Sequence, residues 1–207
     1  MRAKNRIGRG FAETSSLRCA PMHSTRFLLI RHAESTWNAA GRWQGQGDPP
    51  LSPRGEQQAG QLARQLVSTE IDLLMCSDLR RAVSTAAAIA LAIGLRARAD
   101  RSFRELDVGT WTGLTRAEIE ERDPLRLRRF EQEDRDERPG GGETRREIRA
   151  RIRRAVTELA GKHPDRSVAV VTHLGAIRAL LPSSSPDHCE VQFTSLAGIL
   201  AAVERQA

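Results

Sequence analysis

The chain has 207 residues, 39% of them hydrophobic and 29% charged, with a formal net charge of +7, enough material for one substantial domain with its own core. No apolar stretch reaches the length of a membrane span, and Cys19, Cys76 and Cys189 are too few and too widely spaced for a disulfide framework or a zinc site. The pI near 10.7 admits nucleic acid as a partner, but there is no Tyr and few aromatics to stack bases, so a basic pocket for an anionic metabolite fits better.

Residues 1–24 read as a basic, disordered leader: Arg2, Lys4, Arg6, Arg9 and Arg18 stand against Glu13 alone. The leader lacks the apolar segment of a secretory signal. Its composition resembles a transit peptide, but a tail, or an extended start ahead of Met22, is the preferred reading. The domain is expected over 25–207. Phe27–Arg31 reads as a buried strand. Ser52-Pro53 opens a helix with the stripe Ala59, Leu62, Ala63, Leu66 and Val67. Leu73–Cys76 is a second strand, followed by a helix over Leu79, Ala82, Ala86, Ile89 and Ile93 that Gly94 closes. The capping box Thr115-x-x-Glu118 starts a short helix that Arg122-Asp123-Pro124 breaks. A charged run, Arg126 to Arg138, leads to Pro139-Gly140-Gly141-Gly142, a hinge or tight loop. Thr144-x-x-Glu147 caps a helix striped by Ile148, Ile152, Ala155, Val156 and Leu159 and ended by Gly161; strands over Val168–Thr172 and Ile199–Val203 follow. This alternation predicts an α/β three-layer sandwich: a mainly parallel sheet, helices on both faces, and a small helical cap inserted at about 114–139.

Strand ends in such sheets hold ligands, and the first is followed by Arg31-His32-Ala33-Glu34-Ser35-Thr36-Trp37-Asn38. A guanidinium holds phosphate or carboxylate with paired hydrogen bonds, and an adjacent imidazole is a competent covalent nucleophile. Asn38 either orients the anion or caps the turn. Ser77-Asp78-Leu79-Arg80-Arg81-Ala82 with Thr85-Ala86 follows the second strand. Glu105-Leu106-Asp107-Val108-Gly109-Thr110-Trp111-Thr112-Gly113 lies mid-chain. Thr172-His173-Leu174-Gly175 follows the third strand.

These four segments, in this order, resemble the histidine phosphatase superfamily, also called the phosphoglycerate mutase-like branch, over about Thr25 to Arg178. The resemblance implies phosphoryl transfer through phosphohistidine, with His32 as nucleophile. Arg31, Arg81 and His173 would grip the phosphoryl group, Asn38 and Leu174 would also bind the phosphate, and Glu105 would be the acid/base. The pattern selects Arg81 over Arg80 and Glu105 over Asp107. No cofactor and no metal are implied. Departures from the pattern are Ala33 after the nucleophile, Thr112 after Trp111, Leu174 where Gly is usual, and a shortened stretch beyond Leu181. The short segment between Glu105 and Thr144 favours phosphomonoester hydrolysis of a small metabolite. The alternatives are a phosphoglycerate mutase-type phosphotransferase and a non-enzymatic phospholigand-binding protein. Trp37, Trp43 and Trp111 are read as packing residues, and His23, His163 and His188 as exposed. The expected setting is a reducing cytoplasm, with a small-molecule substrate, no nucleic acid, no membrane, and room for a homodimer.

Overall fold

Phe27, Leu28, Leu29 and Ile30 are all buried, and successive side chains leave opposite faces of the sheet. A strand buried on both faces must sit at a sheet centre, covered by helices above and below. The computed structural model, which describes residues 25–204, shows this arrangement; the leader and Cys19 and His23 lie outside the described residues. Strand β1 (Arg26–Arg31) pairs in parallel with β4 (Ser167–Thr172), which pairs in parallel with β2 (Leu73–Cys76), which pairs in parallel with β3 (Ala97–Ala99). On the other side of β1, β5 (Val191–Ser195) runs antiparallel, giving the order β3-β2-β4-β1-β5.

Alternation along the strands builds two cores. Leu28, Ile30, Leu74, Cys76, Ala169 and Val171 face helix α2 (Pro53–Leu66) and helix α3 (Arg80–Ile93). Phe27, Leu29, Met75, Val168 and Val170 face α6 (Arg145–Lys162), α7 (Leu174–Leu180) and α8 (Leu196–Glu204). The caps are those the sequence announces. Ser52, Thr115 and Thr144 accept from the backbone N–H of Gly55, Glu118 and Glu147, and Gly94 ends α3 in the left-handed conformation at φ 70°.

Two expectations near the C-terminus are corrected. Ile199–Val203 is helical, within α8, and the last strand is Val191–Ser195. A short apolar run rich in Ala and Leu has no period to separate strand from helix, and here Ile199 is buried against the face shared with α6 and α7. Helix α6 runs through Gly161 and stops at His163, because Pro164 disfavours the α conformation in the residue before it.

The excursion after Glu105 contains α4 (Arg116–Arg122) and α5 (Pro124–Glu131), joined at Asp123. Leu127 of the charged run is buried. Pro139–Gly141 is a tight turn, not a hinge. Gly140 has φ 57°, and a Cβ there would lie 2.3 Å from the Val108 carbonyl oxygen, so two backbones meet where only glycine fits. Among the described residues no helix is long and apolar enough to cross a membrane.

Candidate active site

Register brings the two motif histidines together. Arg31 at the end of β1 pairs with Thr172 at the end of β4, and the His32 amide donates to the Thr172 carbonyl at 2.9 Å. The residues after these strand ends, His32 and His173, therefore sit side by side, their ring centroids 5.0 Å apart and edge-on. Both are buried.

The environment of His32 selects its tautomer. Nδ1 lies 2.7 Å from the Ala33 carbonyl oxygen, an acceptor only, so Nδ1 carries the proton. Nε2 keeps its lone pair and accepts from Arg81 Nε at 3.2 Å. Burial, then the Arg81 charge, hold the imidazole pKa well below the ordinary histidine value. Arg81 is fully buried. Its Nη1 donates to the Gly47 carbonyl at 2.7 Å and its Nη2 to the Gly45 carbonyl at 2.9 Å. With Nε on His32 and the two Nη atoms on the Gly45–Gly47 backbone, all three guanidinium nitrogens are engaged, and burial lowers the Arg81 pKa to about 10, which leaves it charged at neutral pH. Arg31 is half-buried, tied through Nη1 to the Pro186 carbonyl at 3.0 Å.

Glu105 arrives from another direction. The Thr172 hydroxyl donates to the Phe103 carbonyl at 2.7 Å, which fastens the segment before Glu105 to the end of β4. Arg151 of α6 donates to the carbonyls of Ser102 and Arg104 at 2.9 and 3.0 Å and pairs with Glu143 at 2.7 Å. The Glu105 carboxylate accepts from its neighbour's amide, Leu106, at 2.8 Å and from the Gly175 amide in α7 at 3.1 Å.

Arg31, His32, Asn38, Arg81, Glu105 and Leu174 line one open cavity of about 390 Å³. His173 is brought to His32 but does not line the cavity; both of its ring nitrogens are buried without a hydrogen-bond partner, and burial followed by the Arg81 charge lowers its pKa strongly. Asn38 closes a capping box with Ser35 at the start of the short helix α1 (Thr36–Ala39), so it caps the turn and borders the cavity at once. Arg80 is exposed, as expected of the rival to Arg81.

Several residues at the site escaped the sequence reading. His188 is half-buried rather than exposed. Its ring lies 5.8 Å from that of His32, and burial with the Arg31 charge pushes its pKa down to about 4. The loop that carries it returns beside β1, where the Cys189 amide donates to the Arg31 carbonyl at 3.0 Å. His163 is also half-buried, at the end of α6. Trp43 packs edge-on against Trp111 and Phe130 and lines the cavity, so it combines packing with contact. Phe130, Arg145 and Arg178 complete the outer wall. Phe130 of α5, Arg145 of α6 and Arg178 of α7 meet at the cavity only once the three helices are packed.

Known proteins resemble this chain in sequence and in fold. Phosphoserine phosphatase 1 of Hydrogenobacter thermophilus is 36% identical over 155 residues, spanning 75% of this chain and 74% of the relative. Glucosyl-3-phosphoglycerate phosphatase of Mycobacterium tuberculosis is 38% identical over 167 residues, spanning 77% and 74%. The solved structure of mycobacterial glucosyl-3-phosphoglycerate phosphatase with VO3 superposes with a TM-score of 0.76 at 34% identity, covering 83% of this chain and 93% of that one. Residues 27–187 match the pattern of one family from the first strand to the loop beyond α7, and the chain belongs to it: the histidine phosphatase superfamily, branch 1.

Proposed function

We propose that the protein hydrolyses the phosphomonoester of a small phosphorylated metabolite through a phosphohistidine at His32 Nε2. The observation that carries this reading is the fixed tautomer of His32: a neutral imidazole in the wall of a cationic cavity, whose Nδ1–H is tied to Ala33 and whose Nε2 lone pair accepts from Arg81. The Nε2 lone pair attacks phosphorus as the ester P–O bond breaks. The leaving oxygen takes a proton from the Glu105 carboxyl. Water then attacks phosphorus, the P–N bond breaks, its electron pair returns to Nε2, and the Glu105 carboxylate takes the proton from water. Arg31 and Arg81 neutralise the phosphoryl oxygens, and such neutralisation with positioning is most of what phosphoryl transfer requires. A phosphoryl oxygen would satisfy one of the two unpartnered nitrogens of His173, while Asn38 and Leu174 border the same group. In this reading α4 and α5 form a cap over the site.

The two relatives named as phosphatases of phosphoserine and glucosyl-3-phosphoglycerate support a small phosphorylated metabolite as substrate. A cytoplasmic setting belongs to the same proposal and is supported by the free thiols of Cys76 and Cys189. The test is a burst experiment with a radiolabelled phosphomonoester. Acid-labile, base-stable label is expected on the wild-type chain and is expected to vanish, with turnover, in His32→Ala. Label on serine or aspartate overturns the mechanism.

A further inference from the structure

Arg31, Arg81, Arg145 and Arg178 line the cavity, and among the described residues none of the four forms an ion pair. A fifth arginine, Arg42, is engaged by Glu118 at 3.3 Å. Glu105 is the one carboxylate in the lining. A bound phosphomonoester dianion, together with an ionised Glu105, still leaves one guanidinium uncompensated; with Glu105 protonated, as the proposed first step requires, it leaves two.

Arg145 is the residue whose surroundings make least sense without an anion. It occupies the first position of α6, where the helix dipole disfavours a cation. Its Nη2 donates to the Phe130 carbonyl at 3.0 Å and its guanidinium carbon sits 4.2 Å over the Phe130 ring, so the group is held in place at the cavity wall. Its Nε is buried without a hydrogen-bond partner, which is costly for a charged donor. Burial is the main influence on its pKa, which is lowered; Glu133 opposes this from beyond ion-pair distance, and Arg178 adds to it. Arg178 is braced by the Ser185 hydroxyl at 2.7 Å. Two neighbouring guanidiniums with no acid between them repel, and local rules alone would not place them together.

We propose that Arg145, assisted by Arg178, is a specificity-determining residue that binds a carboxylate on the alcohol portion of the substrate. This rests on the phosphatase reading above and narrows it to phosphomonoesters of hydroxy acids, with the phosphoryl group at His32 and the carboxylate at the outer wall beside Phe130.

The test compares 3-phosphoglycerate with glycerol 3-phosphate, which differ by a carboxylate against a hydroxymethyl group. Wild-type enzyme should favour the carboxylate member in kcat/KM by about tenfold to a hundredfold, the worth of one charge-assisted hydrogen-bonded pair. Arg145→Ala should bring that ratio towards one, chiefly through KM, and Arg145→Lys should restore part of it. Arg145→Gln, closer in size, gives the same reading if the alanine variant does not fold. Binding of the two compounds to His32→Ala, followed by calorimetry, reads the preference without turnover. Hydrolysis without preference in wild type, or a ratio unmoved by Arg145→Gln, overturns the subsite and leaves the phosphatase. Binding preference without hydrolysis supports the subsite and overturns the phosphatase.

Discussion

Gly175→Ala separates the proposed proton donor from the stability of the fold. Gly175 lies in the first turn of α7, and a Cβ built there would lie 2.2 Å from Glu105 Oε1 and 3.1 Å from Glu105 Cδ. The three nearest heavy atoms to that Cβ all belong to the Glu105 carboxyl group, so the new methyl group meets the end of a flexible side chain, and the carboxyl group must move by about an ångström. Alanine is the better helix residue by about 0.8–1 kcal/mol, while the bond from the Gly175 amide to Glu105 contributes about 1 kcal/mol. The two nearly cancel, and each kcal/mol is worth only about 2–4 °C in Tm for a chain of this size. Misplacing a reacting group by about 1 Å costs about a hundredfold in rate, within the range by which general acids accelerate reactions. Hydrolysis of an alkyl phosphate, whose leaving group needs the proton, should therefore fall by about a hundredfold. Nitrophenyl phosphate, whose leaving group departs unaided, should fall by less than about tenfold. The assays are kcat/KM on both substrates and thermal denaturation of both proteins. Equal losses on the two substrates with an unchanged Tm would refute the placement of Glu105 as the acid.

Glu105→Gln should show the same leaving-group dependence. Arg81→Ala removes a buried guanidinium that neutralises phosphoryl charge, and kcat should drop by about a hundredfold to a thousandfold; a loss below tenfold in steady-state assays counts against its role. His32 and His173 are held neutral in the folded chain, whereas an unfolded histidine ionises near 6.5. Below that pH the unfolded chain binds more protons, so stability falls on acidification, with a limiting slope of about 1.4 kcal/mol per pH unit for each of the two and a further contribution, discounted for its partial exposure, from His188, whose pKa is lowered to about 4. Urea denaturation between pH 7 and 5 measures the slope, and a flat profile contradicts the buried neutral state. Activity should persist in EDTA, because guanidiniums supply the charge neutralisation; loss of activity on chelation, restored by metal, refutes this. Free phosphate should exceed isomerised product when 3-phosphoglycerate is offered, and rapid conversion to 2-phosphoglycerate with little phosphate would restore the mutase alternative.

The local code of this chain is strong where one residue type answers one backbone need. Ser52, Thr115 and Thr144 each satisfy helix-end amides, Gly94 supplies a left-handed cap, and the apolar runs at β1, β2 and β4 leave no polar face to expose. The four motifs likewise mark His32, Arg81, Glu105 and His173, and the fold brings them together: His32 and His173 follow the ends of β1 and β4, Arg81 lies in the first turn of α3, and Glu105 lies in the segment after β3. The sequence could not decide the C-terminal part, where Leu196–Glu204 has the composition of either element and its helical state comes from packing on α6 and α7. Nor could it show that Nδ1 of His32 meets a carbonyl, that His188 folds back against His32, or that Arg145 sits over the Phe130 ring near Arg178. Those features depend on distances between segments far apart in the chain. A motif records which groups a site uses, but tautomer, burial and unbalanced charge belong to the space the groups share, and that space exists only once the elements are packed.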